Sequence, residues 1–189
     1  LMISSMDQLS KLKNRRALQE KLSTESEMIR RYQGKHSAHF QTSVTFIDLD
    51  HFKYYNDNYG HEAGDILIAE FSDLLQHIYR RVDFISRFGG DEFVILLPNT
   101  TDEEALRASD RLREGLEKAN YFLPVLEKRL GIKLDVPREH YLNFSAGICS
   151  NFVVEDKTDM SSVMQNADKA LFAAKNSGRS RTVLWTEMS

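Results

Sequence analysis

The apolar positions along the chain alternate between a helical spacing and short β-rich runs. After a polar lead-in at 7–16, Leu18, Leu22 and Ile29 fall on one face of a predicted helix. Residues 34–42 are polar and read as a connector. The run 43–48, Ser-Val-Thr-Phe-Ile-Asp, predicts a buried strand whose carboxyl end delivers Asp48, with Asp50 as a further candidate. A short helix over 52–61 stops at Gly60. Gly64-Asp65 then leads into a long helix with Leu67, Phe71, Leu74, Leu75 and Ile78 inward. Phe84-Ile85 and Val94-Ile95-Leu96-Leu97 predict two strands joined by a tight turn at Gly89-Gly90, with Asp91 and Glu92 at its tip.

Thr101 followed by three acids opens the next helix, with Ala105, Ser109, Leu112 and Leu116 inward. Residues 120–142, which contain Pro124, Gly131 and Pro137, keep no simple period, and 125–130 read as a helical turn within an insertion. A strand at 142–149, a helix at 160–175 ended by Asn176-Ser177-Gly178, and a strand at 182–185 complete the series. With no repeat and no low-complexity tract, one domain is expected over 1–189. Its element order implies a ferredoxin-like α+β fold: two βαβ-type units around an antiparallel hairpin, about five strands, helices on the faces. In that arrangement the first strand lies beside the hairpin, so Asp48, Asp91 and Glu92 meet at one end of the sheet.

Three carboxylates at one place need a remedy. Two of them about 4 Å apart repel by roughly 4 kcal/mol at an effective dielectric near 20. Such a site protonates one member or binds a cation. Oxygen donors without a cysteine or histidine cluster favour Mg²⁺ or Mn²⁺, which neutralises phosphate charge and orients an attacking hydroxyl. Nucleotidyl transfer is the reaction class these residues suggest. Taken alone, Gly-Gly-Asp-Glu is also an ordinary polar hairpin.

Composition narrows the partners. At 189 residues, 41% hydrophobic and 28% charged, the chain has the makeup of a soluble globular domain. A net charge of −3 offers no broad positive footprint, so no nucleic-acid polymer is expected as partner. The single cysteine, Cys149, excludes an intrachain disulfide and reads as a small core residue. No apolar run approaches the ~20 residues of a spanning helix. No membrane contact by this stretch and a cytoplasmic setting are therefore expected. The opening Leu1-Met2-Ile3 suggests a fragment of a longer protein, whose other regions could carry an anchor.

Gly89-Gly90-Asp91-Glu92-Phe93 is the signature of the GGDEF domains, the diguanylate cyclases of bacterial signalling, and the chain resembles that family over nearly its full length. Further matching segments are the lead-in 7–16, Asp48-Leu-Asp-His-Phe-Lys53, Asn56-Asp-Asn-Tyr-Gly-His61, Ala63-Gly-Asp65, Phe144-Ser-Ala-Gly-Ile148, Ala167-Asp168, Ala174-Lys175 and Gly178-Arg179. The resemblance implies a palm-like fold and condensation of two GTP into cyclic di-GMP with release of two pyrophosphates, by a Mg²⁺-dependent homodimer. It implies Asp48, Asp91 and Glu92 as catalytic acids, and the same three with the Leu49 carbonyl as metal ligands. Asn56 and Asp65 resemble the guanine-reading pair, and Lys53, Lys175 and Arg179 resemble triphosphate contacts, with Gly89 and Gly90 letting phosphates approach the backbone. Arg80 and Asp83, five and more residues before the signature, match the family's inhibitory RxxD site for the product, with Arg111 as a candidate second arginine. Otherwise Arg-x-x-Asp is an ordinary surface ion pair.

His51 and His61 receive no catalytic role. The chain departs from the family pattern at Lys11 and Lys13, where glycine and proline are usual, at Phe172, where tyrosine is common, and in the length of 120–142. The alternative reading is a catalytically silent domain that serves as a cyclic di-GMP receptor. The intact signature, Asp48, Asn56 and Asp65 favour the enzyme.

Overall fold

The strand β1 (Ser43–Asp50) is buried at every residue, because sheet neighbours flank both its edges and helices cover both its faces. The computed structural model describes residues 4–32 and 40–188. Most of the connector expected at 34–42 lies outside them. The remaining elements are α1 (Arg15–Tyr32), α2 (Phe52–Tyr59), α3 (His61–Ile78), β2 (Phe84–Gly89), β3 (Glu92–Leu97), α4 (Asp102–Lys118), α5 (Leu123–Leu130), β4 (Asn143–Ser150), α6 (Met160–Asn176) and β5 (Thr182–Leu184). The sheet order is β2-β3-β1-β4-β5, antiparallel except for the parallel β4–β5 pair, and β1 lies beside the hairpin as expected.

The period of two along β1 divides its side chains between two cores. Ile47 and Leu49 join Phe93, Ile95, Phe144, Ile148 and the inward residues of α3 and α4. Val44 and Phe46 join Val94, Leu96 and Cys149 against α1 and α6. Asp48 continues the second set, so it points to the α6 side at the open end of the sheet. Opposite it in register stands Glu92, which shares that face.

Local chemistry sets the boundaries. Thr101 and Glu104 form a reciprocal capping box at the start of α4. Gly60, at φ 84, ends α2 and starts α3, which therefore begins four residues before the Asp65 that was read as its entrance. The hairpin turn falls on Gly90 and Asp91, one residue later than expected, because Gly89 pairs with Glu92 across a bulge that leaves Phe88 unpaired. The bulge sends Phe88 onto Phe46, with ring centroids 5.2 Å apart. The insertion contains a two-turn helix, α5, which begins earlier than the single turn expected at 125–130. Trp185 leaves β5 for a closing 3₁₀ turn.

Glycine at 147 decides how closely α6 can lie on the sheet. A Cβ there would sit 2.0 Å from the Ala167 carbonyl oxygen and 2.2 Å from the Leu171 amide nitrogen, both backbone atoms that cannot step aside singly. Gly147→Ala should therefore lower the unfolding free energy by about 2–3 kcal/mol. Urea denaturation of the two proteins measures this, and an unchanged midpoint would contradict the close approach of α6.

Candidate active site

Four elements converge where β1 ends. The Leu49 amide donates to the Asp91 carbonyl at 3.1 Å and ties the hairpin tip to β1. Arg87 braces the same tip, donating through Nε and Nη2 to the Gly90 carbonyl at 2.9 and 2.7 Å and through Nη1 to Asp7 in the lead-in at 3.1 Å. Gly90 takes φ 38, and an added Cβ at Gly89 or Gly90 would meet nothing within 4 Å, so the turn faces open space. Lys175, in the last turn of α6, reaches back to donate to Asp48 Oδ2 at 2.8 Å.

The carboxylates feel one another. Burial pushes Asp48 up to about 6, with Asp91 and Glu92 adding to the rise while Lys175 opposes it. Asp91 is raised by burial against the pull of Lys175 and Arg87. Glu92 is raised by burial, then by Asp91, with Asp168 adding and Lys175 and Arg15 opposing. Like charges opposite each other on a ladder destabilise it, and here a lysine supplies part of the remedy.

Asp50 does not join this cluster. It is buried and accepts from the Ser145 hydroxyl at 2.9 and 3.0 Å and from the Ser180 amide at 2.9 Å. Its role is to anchor the 178–180 loop, whose three residues all have positive φ and which carries the exposed Arg179.

The Asn56 amide lies against Gly64, the residue before Asp65. A Cβ at Gly64 would lie 2.1 Å from Asn56 Oδ1, so only glycine lets the amide settle against the start of α3, next to Asp65. Lys53 stands exposed on α2, three residues before Asn56.

Arg80 and Asp83 grip each other. The guanidinium donates to both Asp83 oxygens at 2.7–3.2 Å and also to the Pro98 carbonyl and the Thr100 hydroxyl, while Asp83 accepts from the Arg80 amide at 2.7 Å. Arg111 lies across on α4, and both it and Asp83 act electrostatically on the buried Tyr79 hydroxyl.

Two charged neighbours of Glu92 escaped the reading of the residues. Asp168 shares a face of α6 with Lys175, a spacing of seven that the sequence displayed. Arg15 opens α1 and places its guanidinium 4.3 Å from the centre of the Phe88 ring, a contact made by the bulge and invisible in the sequence.

The donor set fits a hard divalent cation, though not a closed cage. Among the described residues no three acid, histidine or cysteine side chains stand close enough to hold a metal unaided. Mg²⁺ commonly takes one or two carboxylates and completes its shell with water and substrate phosphate. Asp48 and Asp91, with the adjoining backbone, match that division.

Comparison with known proteins decides the family. The profile of the "Diguanylate cyclase, GGDEF domain" family matches residues 4–181. This chain belongs to the GGDEF family. Diguanylate cyclase A of Treponema denticola is 35% identical to it over 143 residues, 75% of this chain and 34% of that protein. The GGDEF chain thus spans about a third of the length of that curated relative. The structure of the diguanylate cyclase SiaD of Pseudomonas aeruginosa, in complex with its activator SiaC, is 32% identical with a TM-score of 0.76, covering 96% of this chain and 62% of that one. The GGDEF domain of DgcB from Caulobacter crescentus, in complex with c-di-GMP, has a TM-score of 0.77 with 98% of each chain covered, and at 22% identity shows the shared palm-like α+β fold. Among the described residues no helix is long and apolar enough to cross a membrane.

The titration of Asp48 yields a sign that can be checked. Its ordinary value of 3.8 rises to about 6 in the fold, so the folded state holds the proton more tightly. The ionised carboxylate therefore costs stability above about pH 6, and that cost is gone below about pH 4. In chelating buffer, Asp48→Asn should melt higher than wild type at neutral pH, with the difference shrinking as pH falls through that window. A difference that grows toward acid would contradict the crowding.

Proposed function

We propose that this GGDEF domain is a Mg²⁺-dependent diguanylate cyclase that condenses two GTP into cyclic di-GMP and two pyrophosphates. The observation that carries the reading is the crowding of Asp48, Asp91 and Glu92 at the end of β1, with Lys175 beside them and Asn56 and Asp65 close by on α2 and α3. The guanine edge offers N1 and N2 donors to the Asp65 carboxylate, and the Asn56 amide serves the remaining polar edge. Adenine lacks those donors, so GTP is the substrate. Lys53, Lys175 and Arg179 supply cationic donors to the triphosphate, and the side-chain-free turn at Gly89 and Gly90 leaves room for phosphate.

Asp48, Asp91 and the Leu49 carbonyl would hold Mg²⁺, with Glu92 as the neighbouring acid and phosphate and water completing its shell, and the ion would neutralise phosphate charge and favour departure of pyrophosphate. The protein's own part is positional and electrostatic. Lys175 exchanges its bond to Asp48 for triphosphate oxygen, and the acids at the hairpin tip provide the acceptor for the 3′-hydroxyl proton. Each 3′-oxygen forms a bond to the α-phosphorus of the other GTP, and the bond from that phosphorus to its pyrophosphate breaks. A two-fold symmetric product calls for two facing half-sites, and so for a homodimer. Cyclic di-GMP, the ligand in the DgcB structure, is the natural occupant of Arg80, Asp83 and Arg111 as an inhibitory site. Its binding would exchange the Arg80–Asp83 pair for contacts to guanine.

The test is GTP turnover by the purified domain with Mg²⁺, with nucleotides separated by chromatography across a range of protein concentrations. Cyclic di-GMP should form with a specific activity that rises with concentration, and Asp91→Ala should lower it by about 100-fold or more. Normal turnover in Asp91→Ala, or no product at any concentration, would overturn the reading.

A further inference from the structure

The insertion at 120–142 packs along the outside of α2. Its root is fixed: Phe122 and Leu126 are buried in the α3–α4 core, and Arg129 lies 3.8 Å from Glu70 of α3. Its middle is braced by Glu127, which accepts from the Leu134 amide and from Lys133, both at 3.0 Å. From there the segment meets three tyrosines of α2 in turn. The Tyr59 hydroxyl donates to the Asp135 carbonyl at 3.4 Å, His140 stacks on Tyr54 with centroids 4.4 Å apart and planes 12° from parallel, and the Leu142 amide donates to the Tyr55 hydroxyl at 3.0 Å.

The helix so held is short, and its other support comes from α3, where Phe52 and Asn56 lie against Gly64. It has eight residues, only Tyr55 is buried, and no side chain caps its start, where His51 takes φ 65. Helices of this length have almost no stability of their own. Yet α2 carries Asn56, whose amide rests on Gly64, the residue before Asp65. The same insertion reaches the far end of the site, where Arg138 and Tyr141 share the wall of a groove of about 670 Å³ with His51, Gly178 and Ser180.

We propose that residues 120–142 form a strap that positions the guanine-reading helix, with His140 as its principal positioning residue through the face-to-face stack on Tyr54. This rests on the reading of Asn56 and Asp65 as guanine contacts. The buried Nδ1 of His140 has no hydrogen-bond partner among the described residues, so the ring works by its flat face. Phenylalanine should replace it, and alanine should not.

The experiment is equilibrium titration of the purified domain with α,β-methylene-GTP and, separately, with inorganic tripolyphosphate. For His140→Ala the affinity for the nucleotide should fall about three- to tenfold, the worth of one aromatic stack, while tripolyphosphate binds as to wild type. His140→Phe should restore the nucleotide affinity. An unchanged nucleotide affinity in His140→Ala, or an equal loss for both probes, would overturn the strap. Asp65→Ala separates the two claims. If it weakens nucleotide binding and His140→Ala does not, the strap alone fails; if neither does, the guanine reading fails and the strap with it.

Discussion

Asp48 and Glu92 stand directly opposite each other on one face of an antiparallel ladder, and the pairing of β1 with β3 gives neither a way to leave. Burial raises the Asp48 carboxyl most, with Asp91 and then Glu92 adding to the rise. Cationic groups stand around this end of the sheet: Lys175 arrives from α6 to meet Asp48, Arg87 holds the turn that carries Asp91, and Arg15 stands near Glu92. Most stabilising charge pairs form after a fold has placed its chains. Here the hydrophobic alternation of β1, with Ile47 and Leu49 on one side and Val44 and Phe46 on the other, forces Asp48 to the α6 face. Packing thus holds an acid where its charge is costly, a cost that Lys175 partly offsets.

Two close approaches of backbone then set the accuracy of the site. Gly147 lets α6 lie against β4, which fixes where Lys175 can reach. Gly64 lets the Asn56 amide settle on α3 beside Asp65. In both cases the position of a candidate site residue depends on a glycine that has no side chain in the way. The loop holding Arg179 is governed differently, by the buried carboxylate of Asp50 accepting the Ser180 amide. An acid that the sequence offers as a further candidate for the site instead holds a cation-bearing loop.

The core architecture was legible in the chain because period and punctuation agreed. The apolar run of β1, the stripe of α3 and the threonine cap and early acids of α4 each named its element, and the element order implied β1 beside the hairpin. The acids at 48, 91 and 92 were legible for the same reason. What escaped was set by contacts between distant residues. The bulge at Phe88 moved the turn by one position and brought Arg15 over that ring. The insertion carries too many prolines and glycines for a period, and its contacts with α2 depend on where the 131–142 chain returns. The Lys175–Asp48 bond does not follow from spacing alone, whereas the Arg80–Asp83 pair is the ion pair that the Arg-x-x-Asp spacing offers.

The account turns on Lys175 standing where a cation's charge is needed until substrate arrives. A crystal structure of the domain with a non-hydrolysable GTP analogue and Mg²⁺ tests this most directly. The account predicts that Lys175 Nζ, 2.8 Å from Asp48 Oδ2 without ligand, moves out of bonding range and onto phosphate oxygen, with the cation against Asp48. A structure with the analogue bound, the Lys175–Asp48 bond intact and no cation at the carboxylates would contradict it.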